Sequence, residues 1–287
     1  MKDFTFHEPR TVKEASALLA EHGGAARPLA GGTALVLLMR HRLASPAHVV
    51  YLGGIPGLDR IVAEGEDLRI GALATHAAIE AHPDVRARYP VLAEMARVVA
   101  NPQIRNVATI GGNLCHGDPA SDPPACLLAL GAWVGAVRDG AEREIPLEDF
   151  FTDYYENSLA PGEIVREIVV PALPAGARAA YMRYVTSAAE SRPLVAVGVR
   201  LTLGADGACS EARLALGAVC PVPRRVPAAE EFLRGRRLTP KVVAEAASLA
   251  VADLEPVSDF RGTADYRCEV ARVIVRRALE RAMSQET

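Results

Sequence analysis

The sequence has few cysteines and no clustered pair. Its five (Cys115, Cys126, Cys209, Cys220 and Cys268) are odd in number and include no C-x-x-C spacing. That argues against a disulfide framework, a zinc site or an iron–sulfur cluster held by this chain alone. No apolar run approaches the length of a membrane span. The opening Met1-Lys2-Asp3-Phe4-Thr5-Phe6-His7 lacks the apolar core of a signal peptide. A cytoplasmic location without membrane insertion is therefore expected. A net charge of −3 over 287 residues gives no electrostatic footprint for nucleic acid. The G-x-S-x-G and H-E-x-x-H signatures are missing, and no paired general acid and base stands out. No catalytic residue and no metal ligand is assigned from the sequence.

What the sequence does contain is two glycine-punctuated segments, Ala30-Gly31-Gly32-Thr33 and Thr109-Ile110-Gly111-Gly112-Asn113. Neither fits G-x-G-x-x-G or a P-loop. Glycine permits positive φ and leaves no Cβ in the way, so an anion can lie against main-chain N–H groups. Two such turns brought together would hold a diphosphate from both sides, as in a dinucleotide cofactor. Arg27-Pro28-Leu29-Ala30 reads as a strand entering the first turn, and Thr33 as the cap of a helix from Ala34 to Met39. First-turn N–H groups of such a helix have no intrahelical partner.

Polar groups gather in an irregular stretch after the second segment, from Asn113 to Pro123. There Asp122 suits both the N-cap of a helix and an acceptor for ribose hydroxyls. His116 reads either as a structural hydrogen-bonder or as a donor to a phosphate. Cys115 reads as a buried, inert thiol.

The remaining pattern is α+β, with no internal repeat. Thr11-Val12-Lys13-Glu14 opens a helix as a capping box, and Gly23-Gly24 ends it. Strands are predicted at His48–Leu52, Leu68–Leu73, Trp133–Val137 and Ile164–Val170, with helices over 90–99 and 125–130. Pro171 to Gly176 reads as a linker. Beyond it come strands near 195–203 and 212–219, joined by Gly204-Ala205-Asp206-Gly207, then helices over 240–252 and 264–283. The last helix sets Tyr266, Val270, Val273 and Ile274 on one face, against a solvated face of Arg267, Arg272, Arg276 and Arg281.

Several motifs in order resemble a known family. They are Pro28 to Thr33, Asn101 to Leu114, Ser121-Asp122-Pro123-Pro124, Leu127 to Ala132, Ser158 to Val165, Asp265-Tyr266-Arg267 and Val275 to Leu279. The chain resembles the FAD-binding medium subunit of molybdenum hydroxylases such as carbon monoxide and xanthine dehydrogenases. The resemblance implies a vanillyl-alcohol-oxidase (PCMH)-type FAD-binding domain over residues 1–173, with subdomains of about 1–55 and 56–173. A smaller C-terminal α+β domain with an antiparallel sheet is implied over 177–285. It implies FAD contacts from Arg27, Pro28, Leu29, Ala30, Gly31, Gly32, Thr33 and Ala34, and from Thr109, Ile110, Gly111, Gly112 and Asn113. His116 and Asp122 would follow the cofactor's ribityl–diphosphate and adenosine side, and Val165 would give an apolar contact to the flavin. The implied partners are a large molybdopterin-binding subunit and a small subunit with two [2Fe–2S] clusters, in a dimer of heterotrimers. Electrons from those clusters would reach an external acceptor through this chain.

Two departures are visible. Ala34 replaces the family's usual polar residue and offers only its N–H. In Tyr181-Met182-Arg183, Arg183 stands where the family has a lysine near the flavin, a change of hydration and geometry as well as size. The neighbouring stretch Thr186 to Pro193 departs as well. Alternative readings are a self-contained FAD-dependent reductase of the same superfold and a flavin-free assembly subunit.

Overall fold

The computed structural model describes residues 2–187, 189–204 and 206–285. Ala188 in the departing stretch and Ala205 in the expected turn lie outside the described residues. Three sheets organise the chain. Strands β1 (Thr5–His7), β2 (Ala26–Leu29) and β3 (His48–Tyr51) form a parallel sheet in the order β1-β3-β2. Next come β4 (Ile61–Glu64), β5 (Asp67–Gly71), β6 (Trp133–Arg138), β7 (Ala141–Pro146), the short pair β8 (Phe151–Asp153) and β9 (Glu156–Asn157), and β10 (Ile164–Val170). Five of these make an antiparallel sheet in the order β4-β5-β10-β6-β7. Strands β11 (Ala177–Tyr184), β12 (Val195–Leu203), β13 (Cys209–Gly217) and β14 (Arg224–Arg225) form an antiparallel meander.

The helices are α1 (Val12–His22), α2 (Leu35–Arg40), α3 (His76–Ala81), α4 (Pro83–Arg88), α5 (Pro90–Val98), α6 (Pro102–Arg105), α7 (Ile110–His116), α8 (Pro123–Leu130), α9 (Pro227–Leu233), α10 (Pro240–Val251) and α11 (Ala264–Met283). Helix α1 begins as the sequence predicts. Thr11 Oγ1 accepts from Glu14 N at 3.1 Å, while the Glu14 carboxylate accepts from the Arg10 N–H at 2.8 Å. Gly23 ends it at φ +48°.

Helix α8 is apolar on every face and every one of its residues is buried, as expected of a helix enclosed on all sides. It packs on α5, β12 and β13, and it joins the five-stranded sheet to the C-terminal sheet. At Gly198 the strand lies directly against the Ala125 carbonyl, where a Cβ would collide with it. One continuous core therefore contains Leu127 and Leu130 of α8, Ile70 and Ile168 of the five-stranded sheet, and Tyr181 and Ala196 of the C-terminal sheet.

Helix α11 corrects the predicted face. Its buried stripe is Arg267, Ala271, Ile274, Val275, Ala278, Leu279 and Ala282, whereas Tyr266 is exposed. The reason is electrostatic. Arg267 donates to Asp259 at 2.6 Å, and to the Ala218 carbonyl at 3.4 Å, so its charge is buried with a partner. Tyr266 instead hydrogen-bonds through its hydroxyl to that of Tyr184.

His76, the first residue of α3, is fully buried, and neither of its ring nitrogens has a hydrogen-bond partner among the described residues. Burial, reinforced by the charge of Arg105, holds its pKa down to about 4. The native state therefore keeps the ring neutral, while the unfolded chain protonates it below about pH 6.5. Its stabilising contribution is complete above that value and is lost as pH falls toward 4, by about 3 kcal/mol at the limit. Denaturant titrations between pH 7 and 4 are expected to show this loss in the wild type and a flatter profile in His76→Leu; parallel profiles would contradict the assignment.

Candidate functional site

The first glycine turn leaves β2 and enters α2. Gly31 packs on the chain just before the second segment, so closely that a Cβ would overlap the Val107 carbonyl oxygen. Gly32 is the only one of the four motif glycines in the left-handed region, at φ +73°. Thr33 does not cap α2. The cap position falls on Ala34, which has no side-chain cap bond. The more informative feature is the backbone: among the described residues, no protein acceptor meets the N–H groups of Gly31, Gly32, Thr33 or Ala34. The residues are half-buried, and Gly31 at the head of this run of donors lines a concave surface.

The second segment is built differently. The expected turn at Gly111-Gly112 is instead helix, running from Ile110 to His116, so the stretch from Asn113 to Pro123 is irregular only over residues 117–122. Thr109 is the N-cap of this helix, accepting from Gly112 N at 3.1 Å. Its other opening amides are also satisfied, Ile110 N by Ala74 O, Gly111 N by Ala72 O and Asn113 N by Thr109 O. These glycines serve close approach rather than positive φ. A Cβ on Gly111 would lie 2.6 Å from Ala72 Cβ, and one on Gly112 would lie 2.7 Å from Thr109 Oγ1 and 3.8 Å from Ala30 Cβ. The two glycine segments thus meet face to face, with the free donors supplied by the first.

A cleft of about 470 Å³ opens where they meet, lined by Ala30, Gly31, Tyr51, Gly53, Gly54, Ile55, Pro56, Asp59, Leu73, Val107 and Thr109. Its size is in the range of small-molecule sites. Sequence reasoning missed the Tyr51-to-Asp59 wall. A signal for it existed: Gly53-Gly54 follows β3 just as Gly31-Gly32 follows β2. The Tyr51 ring lies over Gly53, which has room for it only because it lacks a Cβ.

The other predicted residues fall elsewhere. Arg27 and Pro28 are exposed, and Arg27 donates to the Gly24 and Ala26 carbonyls. Ile110 is fully buried in the core. Val165 is also buried, within β10 of the five-stranded sheet, and does not line the cleft. Asn113 accepts from Ser121 Oγ at 2.7 Å, and the His116 ring sits 5.3 Å from that of Tyr155. Burial lowers the His116 pKa against the opposing pull of Asp118, so the ring is a neutral imidazole near pH 7. Apolar surroundings push the Cys115 thiol up to about 12, in keeping with an inert side chain.

Asp122 and Arg183 come together. Asp122 holds the N-cap position of α8 but makes no side-chain cap bond; its Oδ1 accepts from the Tyr181 hydroxyl at 2.6 Å, and Arg183 Nη1 reaches both carboxylate oxygens at 2.9 and 3.0 Å. Arg183 also donates to the Val98 carbonyl at 2.8 Å. Burial pushes the Asp122 carboxyl upward, opposed by Arg183 and the Tyr181 hydrogen bond. In this arrangement Arg183 neutralises a buried acid, and it fastens β11 to the start of α8.

A parallel three-stranded sheet and a five-stranded antiparallel sheet, with two glycine segments meeting beside a cleft, make the mixed α+β architecture that the resemblance implies for an FAD-binding domain. Comparison with known proteins makes the class specific. Residues 2–173 match the family described as the FAD binding domain in molybdopterin dehydrogenase, and residues 179–282 match the CO dehydrogenase flavoprotein C-terminal domain. The chain belongs to this family of FAD-binding oxidoreductase subunits. It is 37% identical to the carbon monoxide dehydrogenase medium chain of Afipia carboxidovorans, over 98% of this chain and 97% of that one. It is also 37% identical to the 6-hydroxypseudooxynicotine dehydrogenase complex subunit alpha of Paenarthrobacter nicotinovorans, over 95% and 92%. The solved carbon monoxide dehydrogenase from Hydrogenophaga pseudoflava superposes with a TM-score of 0.94 at 38% identity, over 98% of this chain and 97% of that one. The family membership replaces the self-contained reductase reading.

Removing one partner of a buried ion pair typically costs about 3–5 kcal/mol, because the other charge is left uncompensated. Arg183→Met is therefore expected to lower the unfolding free energy by about 3 kcal/mol, and adding Asp122→Asn to recover much of that loss. Thermal or urea denaturation of the single and double variants checks this; a double variant no better than Arg183→Met would contradict the pairing.

Proposed function

We propose that this chain is the electron-transfer flavoprotein of a heteromeric molybdenum hydroxylase. It would pass electrons from the [2Fe–2S] clusters of a small subunit to an external acceptor, while a large molybdopterin-binding subunit oxidises the substrate. A dimer of heterotrimers is the assembly this reading implies. The observation that carries it is the run of N–H groups from Gly31 to Ala34 that meet no acceptor among the described residues, beside a cleft where the close approach at Gly31 admits no side chain. That donor set suits a diphosphate, because successive backbone N–H groups with no partner among the described residues are free to donate to an anion's oxygens.

Residue roles follow from position. Gly31 to Ala34 would hold the phosphates of FAD. Ala34 loses nothing by lacking a polar side chain, because its N–H is the contributing group. Thr109 and Gly112 would form the opposing wall, where Thr109 keeps the α7 terminus closed and Gly112 leaves space beside Ala30. Asp59 and Tyr51 are polar side chains of the lining and suit hydroxyls of the cofactor. Asn113, His116 and Asp122 lie along the continuation of α7 toward α8, and Asp122 would act there as part of its buried ion pair rather than as a free acceptor. FAD supplies the redox chemistry, taking electrons singly and releasing them singly or as a pair. The protein's own work is binding, orientation and exclusion of water, which accords with the lack of a paired general acid and base in the sequence.

The purified chain is expected to show flavin absorption without iron–sulfur bands, and the complex purified from its natural host to show both. A chain that retains no flavin after gentle purification and reconstitution would contradict the proposal. Gly112→Val is expected to abolish FAD retention while the C-terminal sheet stays folded, measured as bound flavin per chain alongside hydrogen exchange of β12 and β13. Unchanged flavin content would remove Gly112 from the site.

A further inference from the structure

Three histidines from three different elements converge at the outer end of the three-stranded sheet. His7 ends β1, His22 ends α1 and His48 begins β3. His7 Nε2 and His48 Nδ1 are 3.0 Å apart. The His22 and His48 rings stack with centroids 3.7 Å apart and planes within 2°, and the His7 ring lies 5.4 Å from His22 and 5.3 Å from His48. One ring nitrogen from each falls within 4.8 Å of the other two, and all three residues are half-buried.

We propose that His7, His22 and His48 form a binding site for a divalent transition metal of the zinc class, separate from the cofactor cleft. Imidazole nitrogens suit zinc, copper and nickel, and three of them plus a water make an open four-coordinate site. Zinc–nitrogen bonds of about 2.0–2.1 Å require ligand nitrogens about 3.3 Å apart. The His7–His48 nitrogens, 3.0 Å apart, lie close to that separation, and a ring nitrogen of His22 falls within 4.8 Å of both. Two further features favour a cation. The site lies at the C-terminal end of α1, where the last carbonyls give a negative field, and Glu21 adds a negative charge felt by His48. Without a metal, the three contacting imidazoles gain one hydrogen bond and a stack.

The site also has a structural consequence. Its ligands tie β1, the end of α1 and the start of β3 to one point, while the other end of β3 delivers Tyr51 to the cleft. The metal would brace the sheet that carries the first glycine turn without touching the cofactor. No local spacing announces the cluster, since its outer members are 41 residues apart, and the sequence expectation of no metal ligand reflects that.

The test is a zinc titration of the full-length, flavin-loaded chain after chelator treatment and dialysis, read by competition with a chromophoric zinc indicator and repeated with Co²⁺ for its visible spectrum. One equivalent of Zn²⁺ per chain is expected, with the intense absorption of four-coordinate Co²⁺. His22→Gln is expected to weaken zinc binding at least about tenfold and to abolish the Co²⁺ band. His41→Gln, outside the cluster, is expected to match the wild type, and unaltered flavin content serves as the folding control. Zinc uptake no greater than that of the His7→Gln/His22→Gln/His48→Gln triple variant would overturn the proposal, as would a His22→Gln variant indistinguishable from wild type. Because flavin content is read separately, failure of this site and failure of the FAD reading are distinguishable.

Discussion

The approach of Gly31 to the Val107 carbonyl is the contact on which the cleft between the glycine segments depends. It brings a turn from the parallel sheet against a segment of the antiparallel domain at a distance that no residue with a Cβ permits. Two consequences follow from that single approach. The amides from Gly31 to Ala34 stay clear of any acceptor among the described residues, and the Gly53-Gly54 turn at the end of the neighbouring strand becomes a wall of the cleft. Glycine at positions 31 and 111 therefore secures proximity between two chain segments, and only Gly32 is needed for its backbone conformation.

A second constraint holds the C-terminal sheet in place. Helix α8 is buried on all sides, and at Gly198 the strand beneath it touches helix backbone directly. The Asp122–Arg183–Tyr181 cluster sits at the start of this helix and supplies polar specificity to an otherwise apolar junction. A buried ion pair adds little net stability compared with apolar packing, but a mismatch there is costly, so it selects one relative placement of β11 and α8. The flavoprotein architecture is thus two glycine-enabled contacts with a buried charge pair between them in the chain.

Much of this was legible in the sequence. The Thr11 capping box, the strand entering the first glycine turn, the strand from Ile164 to Val170 and the long final helix all follow from local chemistry. What was not legible depended on distant partners. Gly111-Gly112 reads as a break, yet Thr109 caps a helix through them, because the Gly111 amide finds an acceptor at Ala72 and the Gly112 amide finds one in the Thr109 hydroxyl. Arg267 reads as solvated, yet Asp259 meets it inside the fold. Strand β11 is rich in alanine and adjoins a proline-rich linker, so its pairing with β12 leaves little local trace. Arg183 and Asp122 were each visible as site candidates, but only the fold shows that they neutralise one another.

The central claim is that the first glycine turn, through its free amides, is the anion-binding half of the site, while the second contributes shape. Hydrogen–deuterium exchange of the full-length chain with and without FAD tests this most directly. The account predicts fast exchange at Gly31 to Ala34 without FAD and marked protection when it binds, with little change at Gly111 to Asn113, whose amides are already bonded. Protection confined to α7, with Gly31 to Ala34 unaffected, would contradict it.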